Sequence, residues 1–91
     1  MAGILELMGV RKELKQRVDM VVSCGNEWRA TAENLTAALD KLTAAVEKGD
    51  PAPEVQRDVV KTARALSRNT HKLSRSFERV CATMSGVSQK L

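Results

Sequence analysis

Aromatic residues are almost missing from this chain, whose 91 residues include one Trp, one Phe and no Tyr. A core with this composition must be built mainly from Leu, Val, Ala and Met. Such a core favours close helix–helix packing and leaves little room for a deep ligand cavity. At this length the chain forms one small domain at most, which we assign to residues 1–91.

Cysteines and long apolar runs are also scarce. The two cysteines, Cys24 and Cys81, are too few for a disulfide framework, so we expect them to stay reduced. No apolar run approaches the roughly 20 residues that a membrane span needs. The apolar residues 1–10 lack a basic segment in front and make a poor signal peptide. We therefore expect a protein that is cytoplasmic as synthesised.

Catalytic and ligand-binding motifs are missing as well. His71 is the only histidine, and Thr70 and Lys72 beside it place it on a polar face, as expected of a solvated residue. No Cys or His pair has metal-ligand spacing, and no Gly-rich loop precedes a helix to hold phosphate. We predict a non-enzyme with no catalytic residue, no cofactor and no metal.

The strongest positive signal is a seven-residue repeat in the first half of the chain. Apolar residues recur without a miss at Leu7, Leu14, Val21, Trp28, Leu35 and Leu42. A second row precedes them by three positions, at Ile4, Arg11, Val18, Gly25, Ala32, Leu39 and Val46. Together the rows have the heptad spacing that keeps one apolar seam facing a partner helix. In this reading Trp28 fills the space that Gly25 leaves in the seam.

A second heptad occupies the other half of the chain, after a Gly-Asp-Pro-Ala-Pro segment at residues 49–53. Its rows are Val59, Leu66, Leu73, Val80 and Val87, and, four positions later, Ala63, Thr70, Phe77, Met84 and Leu91. Gly is suited to a position just past a helix end and Pro to a first turn. The pattern predicts an all-α antiparallel helical hairpin with helices over about 4–48 and 54–91.

Gly25 leaves one alternative open. Gly in a helix interior costs about 1 kcal/mol relative to Ala, and Asn26 is a suitable N-cap. The heptad continues in phase from Val21 to Trp28, which favours a continuous or kinked helix. A true turn at Gly25 would instead give a three-helix bundle.

An isolated two-helix hairpin buries only one face of each helix and is marginal. We therefore expect further helices, from other copies or from a different partner, to cover the remaining faces. The expected helix–helix contact residues are Leu7, Leu14, Val21, Trp28, Leu35, Leu42, Val59, Leu66, Leu73, Phe77, Val80 and Val87.

Positive charge is concentrated in residues 51–91, which carry eight basic and three acidic side chains. A basic row at three- and four-residue spacing consists of Arg64, Arg68, His71, Lys72, Arg75 and Arg79. Such a row is typical of a solvated face that pairs with acidic residues. It would also suit an anionic membrane surface or, less well because no aromatic residue interleaves it, a nucleic acid.

Residues 35–91 resemble the small needle subunits of type III secretion systems. The resemblance rests on residues 38–42 (Ala-Leu-Asp-Lys-Leu), Asp50-Pro51, residues 66–69 (Leu-Ser-Arg-Asn) and the ending Gln89-Lys90-Leu91. It implies an exported subunit that polymerises helically into a hollow conduit with its C-terminal helix lining the lumen. Residues 1–30, Pro53 and the strongly basic second helix depart from that pattern.

These observations predict a structural protein that acts by helix–helix packing in a larger oligomer or filament, most specifically a needle-like subunit. The alternative is a helical bundle that binds an anionic membrane surface or inserts its apolar residues 1–10. In that case, or if the secretion resemblance holds, the protein is membrane-associated or exported. A nucleic-acid-binding hairpin is the least favoured expectation.

Overall fold

The protein folds into two long helices that pack side by side in opposite directions. A computed structural model describes residues 3–90, with the side chains of Leu5, Leu7 and Lys90 outside the description. Helix α1 spans Ile4–Glu47 and helix α2 spans Pro53–Lys90. They form a rod of 69 × 15 × 15 Å. The prediction of an all-α antiparallel helical hairpin is confirmed.

Helix α1 passes through Gly25 without interruption over its 44 residues. The alternative of a turn at Gly25, and with it the three-helix bundle, is therefore wrong. A single glycine costs about 1 kcal/mol in a helix, which the contacts of α2 with both halves of α1 offset. Asn26 lies inside the helix and caps nothing.

The end of α1 is closed by two backbone hydrogen bonds around a glycine. Gly49 adopts a left-handed conformation with φ +79°, which residues with a side chain rarely take. Its N–H donates to the Val46 carbonyl at 2.9 Å, and the Asp50 N–H donates to the Ala45 carbonyl at 2.9 Å. This pair of bonds satisfies carbonyls that the helix itself leaves free. The helix ends at Glu47, one residue before the predicted position.

The side chain of Asp50 stabilises the backbone just before the start of α2. One of its carboxylate oxygens accepts a hydrogen bond from the Ala52 N–H at 2.9 Å. Ala52 itself has φ +45°, an uncommon conformation for a residue with a Cβ atom. Pro53 then occupies the first helical position, one residue earlier than predicted, where its missing N–H has no helical partner to lose.

The seam between the helices contains the apolar rows that recur every seven residues. Half-buried members of these rows are Leu14, Val21, Leu35 and Leu42 of α1 and Val59, Leu66, Leu73, Val80 and Val87 of α2. Trp28 lies at the edge of the seam with 37% of its surface exposed. Leu7 belongs to the same row, but its side chain lies outside the described residues.

The second row of each helix is not the predicted one. The seam is completed by residues three positions after each member of the first row, namely Val10, Arg17, Cys24, Thr31, Ala38 and Ala45 of α1 and Thr62, Asn69, Ser76 and Thr83 of α2. The expected contacts of Val18, Leu39, Val46, Phe77 and Met84 inside the hairpin are wrong, because 45% to 59% of each of these residues is exposed. Arg11, Ala63 and Thr70 are exposed, Gly25 and Ala32 are half-buried outside the seam, and Leu91 lies outside the described residues.

The buried core is small. The buried apolar residues are Cys24, Ala38 and Ala52, and no described side chain is buried beyond 98%. The hairpin exposes 7127 Å². A compact monomer of 10.0 kDa would expose about 5,200 Å², about 1,900 Å² less. The rod therefore leaves an unusual amount of surface to water for a folded chain of this size.

Candidate interaction surfaces

Four side-chain contacts join the helices near their middle and define how they are aligned; in the longest, the Asn69 amide donates to the Glu27 carbonyl at 3.4 Å. The Trp28 indole N–H donates to the Thr70 hydroxyl at 2.9 Å. The Asn69 amide donates to the Thr31 hydroxyl at 2.6 Å. The Lys72 ammonium contacts the Glu27 carboxylate at 3.1 Å. Thr31 is thus at the height of Asn69, and Glu27 at the height of Lys72.

The ion pair of Lys72 has an electrostatic consequence. The hydrogen bond to Glu27, and then the negative charge of that carboxylate, raise the pKa of Lys72 above its ordinary value of 10.5. Both side chains are more than half exposed, at 59% for Lys72 and 51% for Glu27. The pair is therefore screened by solvent and contributes little to stability, although it marks one flank of the seam.

Trp28 does not fill a gap left by Gly25, as the sequence had suggested. Gly25 lies outside the seam, and no atom comes within 4 Å of the place where a Cβ would stand. Trp28 packs instead at the seam edge and uses its N–H to hold Thr70 of α2. The space beside Gly25 therefore remains open on the surface of α1.

The two cysteines lie in different environments and do not form a disulfide. Cys24 is buried in the seam and Cys81 is exposed on α2. Cys24 and the buried Ser76 line the same small groove, one helical turn or more from Cys81 along α2.

The two flanks of the seam differ sharply in chemistry. The charged flank carries Glu13, Glu27, Lys72 and Arg79, which follow the heptad on the side of the Glu27–Lys72 pair. The opposite side carries most of the large apolar side chains that the hairpin leaves exposed. We call these the apolar flank: Ile4, Met8, Val18, Val22, Leu39 and Val46 of α1 and Val60, Phe77 and Met84 of α2.

The apolar flank is also poor in charge. Heptad positions on this side of α2, residues 53, 56, 60, 63, 67, 70, 74, 77, 81, 84 and 88, include no charged residue. The equivalent positions of α1 carry only Arg11, Lys15 and Arg29, and neither helix places an Asp or Glu there. Eleven large apolar residues are exposed in the described part of the chain, and nine belong to this flank; the others are Met20 and Trp28. Apolar patches of this extent on soluble proteins mark interaction surfaces.

The basic row runs along α2 from its outer surface to the charged flank, where Lys72 and Arg79 lie. Arg64, Arg68, His71, Lys72, Arg75 and Arg79 are all exposed there. Arg64 and Arg68, together with Arg57 and Lys61, line a shallow groove of about 620 Å³. No member of the basic row lies on the apolar flank, but the two surfaces adjoin, because Val60 of that flank lines the same groove as Arg64 and Arg68.

The described residues contain no cluster of three His, Cys, Asp or Glu side chains arranged to hold a metal ion. Within the same part of the chain, neither helix has a stretch apolar enough to cross a membrane. His71 is exposed on α2.

In a comparison with known proteins, no protein family, curated protein or solved structure matches the chain.

Proposed function

We propose that this protein is a structural subunit that acts by packing its helices against further helices in a larger assembly. The observation that carries the proposal is the imbalance between a small core and a large exposed surface. The rod exposes 7127 Å², about 1,900 Å² more than a compact chain of its mass would expose. One partner in a standard protein interface buries roughly 800 Å², so this excess is about twice that area.

The apolar flank supports this proposal because it gives the excess area a suitable chemistry. Phe77 is 53% exposed and Leu39 is 45% exposed, although both are large apolar residues in well-formed helices. Burying apolar surface contributes roughly 25 cal/mol per Å², which is the main driving force of association. A partner that covers the flank would supply the core that the hairpin lacks.

The most specific form of the proposal is a needle-like polymer subunit, as the resemblance of residues 35–91 to type III secretion needle subunits implies. In that form α2 faces the lumen of a hollow filament and its basic row lines the wall. The Pro-containing turn and the length of α2 agree with the resemblance, whereas the long apolar α1 departs from it.

The proposal is tested by measuring mass and thermal stability at several protein concentrations. We expect light scattering to give a mass above 10.0 kDa and the melting temperature to rise with concentration, since association is linked to folding. A monomer with a sharp, concentration-independent melt would refute the proposal. Negative-stain microscopy of the heaviest fraction separates hollow filaments, which the needle form requires, from discrete particles.

A second candidate function is binding to an anionic membrane surface. It is favoured by the groove in which Arg57, Lys61, Arg64 and Arg68 converge on α2. Lys and Arg residues near an acidic bilayer contribute about 1 kcal/mol each, and salt weakens this attraction. A nucleic-acid backbone would use the same charges and is a less favoured ligand.

Arg68→Glu combined with Arg75→Glu tests the second candidate, because both residues are exposed and remote from the seam. If the basic row binds a membrane, the wild type should bind acidic vesicles in a salt-sensitive way and the double variant should not, with helix content unchanged. Wild-type protein that binds neither acidic vesicles nor DNA would eliminate this candidate. The same measurement with neutral vesicles serves as the control.

A further inference from the structure

We infer that the apolar flank is a self-association surface, on which two copies of this chain dock with α1 of one copy against α2 of the other. The inference rests on the proposed function and names its partner, a second copy of this chain. The two-fold axis would run parallel to the rod, and the product would be a four-helix bundle in which each helix has antiparallel neighbours.

The sizes of the flank residues match this arrangement. A two-fold axis along the rod keeps every residue at its own height, so the alignment of Thr31 with Asn69 also holds between copies. Counting along both helices from that pair, Phe77 falls at the height of residue 23, between Val22 and Gly25, and Leu39 falls at the height of residue 61, between Val60 and Ala63. Gly25 has open space where its side chain would be. Each of these two large side chains thus meets one valine and one small residue of the other copy.

The charges on the outer surfaces favour the same partner and orientation. The outer surface of α1 near the turn carries Asp40 and Glu47, and the outer surface of α2 at similar heights carries Arg57 and Arg64, all of them exposed. Within one hairpin these two surfaces point in opposite directions and do not meet. Docking α1 against α2 of a second copy brings them to the same edge of the bundle, so that opposite charges are adjacent.

Other ways of covering the flank fit less well. If α1 faced α1 of the second copy, the two-fold axis would cross the rod and reverse the second copy, so Asp40 and Glu47 would no longer lie beside Arg57 and Arg64. A lipid surface is the other occupant to test, because Arg11, Lys15 and Arg29 lie on the flank itself and Val60 lines a groove with Arg64. The pairing of Asp40 and Glu47 with Arg57 and Arg64 is the observation that favours a second copy of this chain.

The first test compares two large apolar residues of equal exposure on opposite flanks. Phe77 is 53% exposed on the apolar flank, and Met20 is 50% exposed on the charged flank. Phe77→Ser should raise the dimer dissociation constant by about tenfold or more, whereas Met20→Ser should leave it nearly unchanged. Analytical ultracentrifugation gives the constants, and circular dichroism checks that helix content is preserved.

The second test uses the native thiol of Cys81 to report orientation. Val22 and Cys81 both lie on the outer edge of the apolar flank, and the arrangement brings Val22 of one copy near Cys81 of the other. With Val22→Cys, a short bifunctional thiol reagent should give a covalent dimer that peptide mapping assigns to positions 22 and 81. Ser23→Cys, one residue further and on the other side of α1, is the matched control and should give little dimer.

The outcomes separate this inference from the proposed function. An assembly that Phe77→Ser and Met20→Ser weaken equally, or that cross-links no better from position 22 than from position 23, would overturn the inference and leave the proposed function standing. A monomer at all concentrations would overturn both. A monomer that binds vesicles through Phe77 would replace the second copy by lipid.

Discussion

The seam and the apolar flank are built from the same heptads, yet one is covered within the chain and the other is not. In the seam, Leu35 and Leu66 are half-buried between the helices. On the flank, Leu39 and Phe77 follow the same seven-residue periodicity but remain about half exposed. A heptad row therefore predicts only that its residues face some neighbouring helix. Whether this neighbour belongs to the same chain depends on where the partner helix lies.

The largest expected effect distinguishes the two regions directly. Leu66→Ala in the seam should lower the free energy of unfolding by about 2 kcal/mol, because it leaves a cavity between the helices. Leu39→Ala on the flank should cost the hairpin much less, and should instead reduce the dependence of the melting temperature on protein concentration. Circular-dichroism melts at two concentrations measure both quantities. Equal effects of the two variants at both concentrations would erase the distinction between seam and flank.

A smaller effect sharpens the comparison inside the seam, where one row is apolar and the other contains polar residues. Asn69→Ala removes the bond to the Thr31 hydroxyl and should lower the free energy of unfolding by about 1 kcal/mol. Thr62 lies in the same row, but its hydroxyl donates to the Asp58 carbonyl of its own helix at 2.7 Å. Thr62→Ala should therefore be nearly neutral in urea denaturation. A larger loss for Thr62→Ala than for Asn69→Ala would contradict the role given to the cross-helix bond.

The turn offers a change of opposite sign. Ala52 has φ +45°, so Ala52→Gly should relieve backbone strain and raise the free energy of unfolding by about 0.5 kcal/mol, after the loss of its buried methyl group. The same substitution in the exposed middle of a helix, Ala30→Gly, should lower it by about 1 kcal/mol. Thermal melts of the two variants should move in opposite directions. A decrease for Ala52→Gly would show that the methyl group outweighs the strain.

The smallest effect concerns the charged flank. Because Glu27 raises the pKa of Lys72, the contribution of this pair is present below pH 10.5 and is lost as the pH rises through the folded-state value. We expect the stability difference between wild type and Lys72→Met to be slight near neutral pH and to vanish at strongly alkaline pH. Urea denaturation across this pH range measures it, with Lys61→Met as the control. A difference that grows with pH would contradict the sign of the shift.

Much of the fold follows from the sequence, because the first heptad rows and the Gly-Asp-Pro-Ala-Pro segment point to the same hairpin. Leu35, Leu42, Val59 and Leu66 lie in the seam for the reason that predicted them: they recur in phase with a helix. The turn also follows from local chemistry, since Gly49 and Pro53 each suit one helix end.

The second rows were not predictable in the same way. A row three positions before the first row and a row three positions after it both satisfy heptad spacing. Val18, Leu39 and Val46 are more apolar than Arg17, Thr31 and Ala45, so hydrophobicity favoured the wrong side. The true row packs because its small and polar side chains allow α2 to approach. Which of the two rows packs therefore depends on the approach of α2, a helix distant in sequence. For the same reason, the sequence pattern alone wrongly predicts Gly25 in the seam with Trp28 filling the space beside it.

The tight closure around Gly49 and Asp50 gives the rod a closed end and an open end. Contacts next to the turn, such as those of Ala45 and Val55, close short loops and cost little chain entropy to form. Contacts at the other end, such as those of Leu14 and Val87, close loops of nearly the whole described chain. Amide hydrogens should therefore exchange fastest at the end far from the turn and slowest beside the turn, because the two helices separate first at the far end.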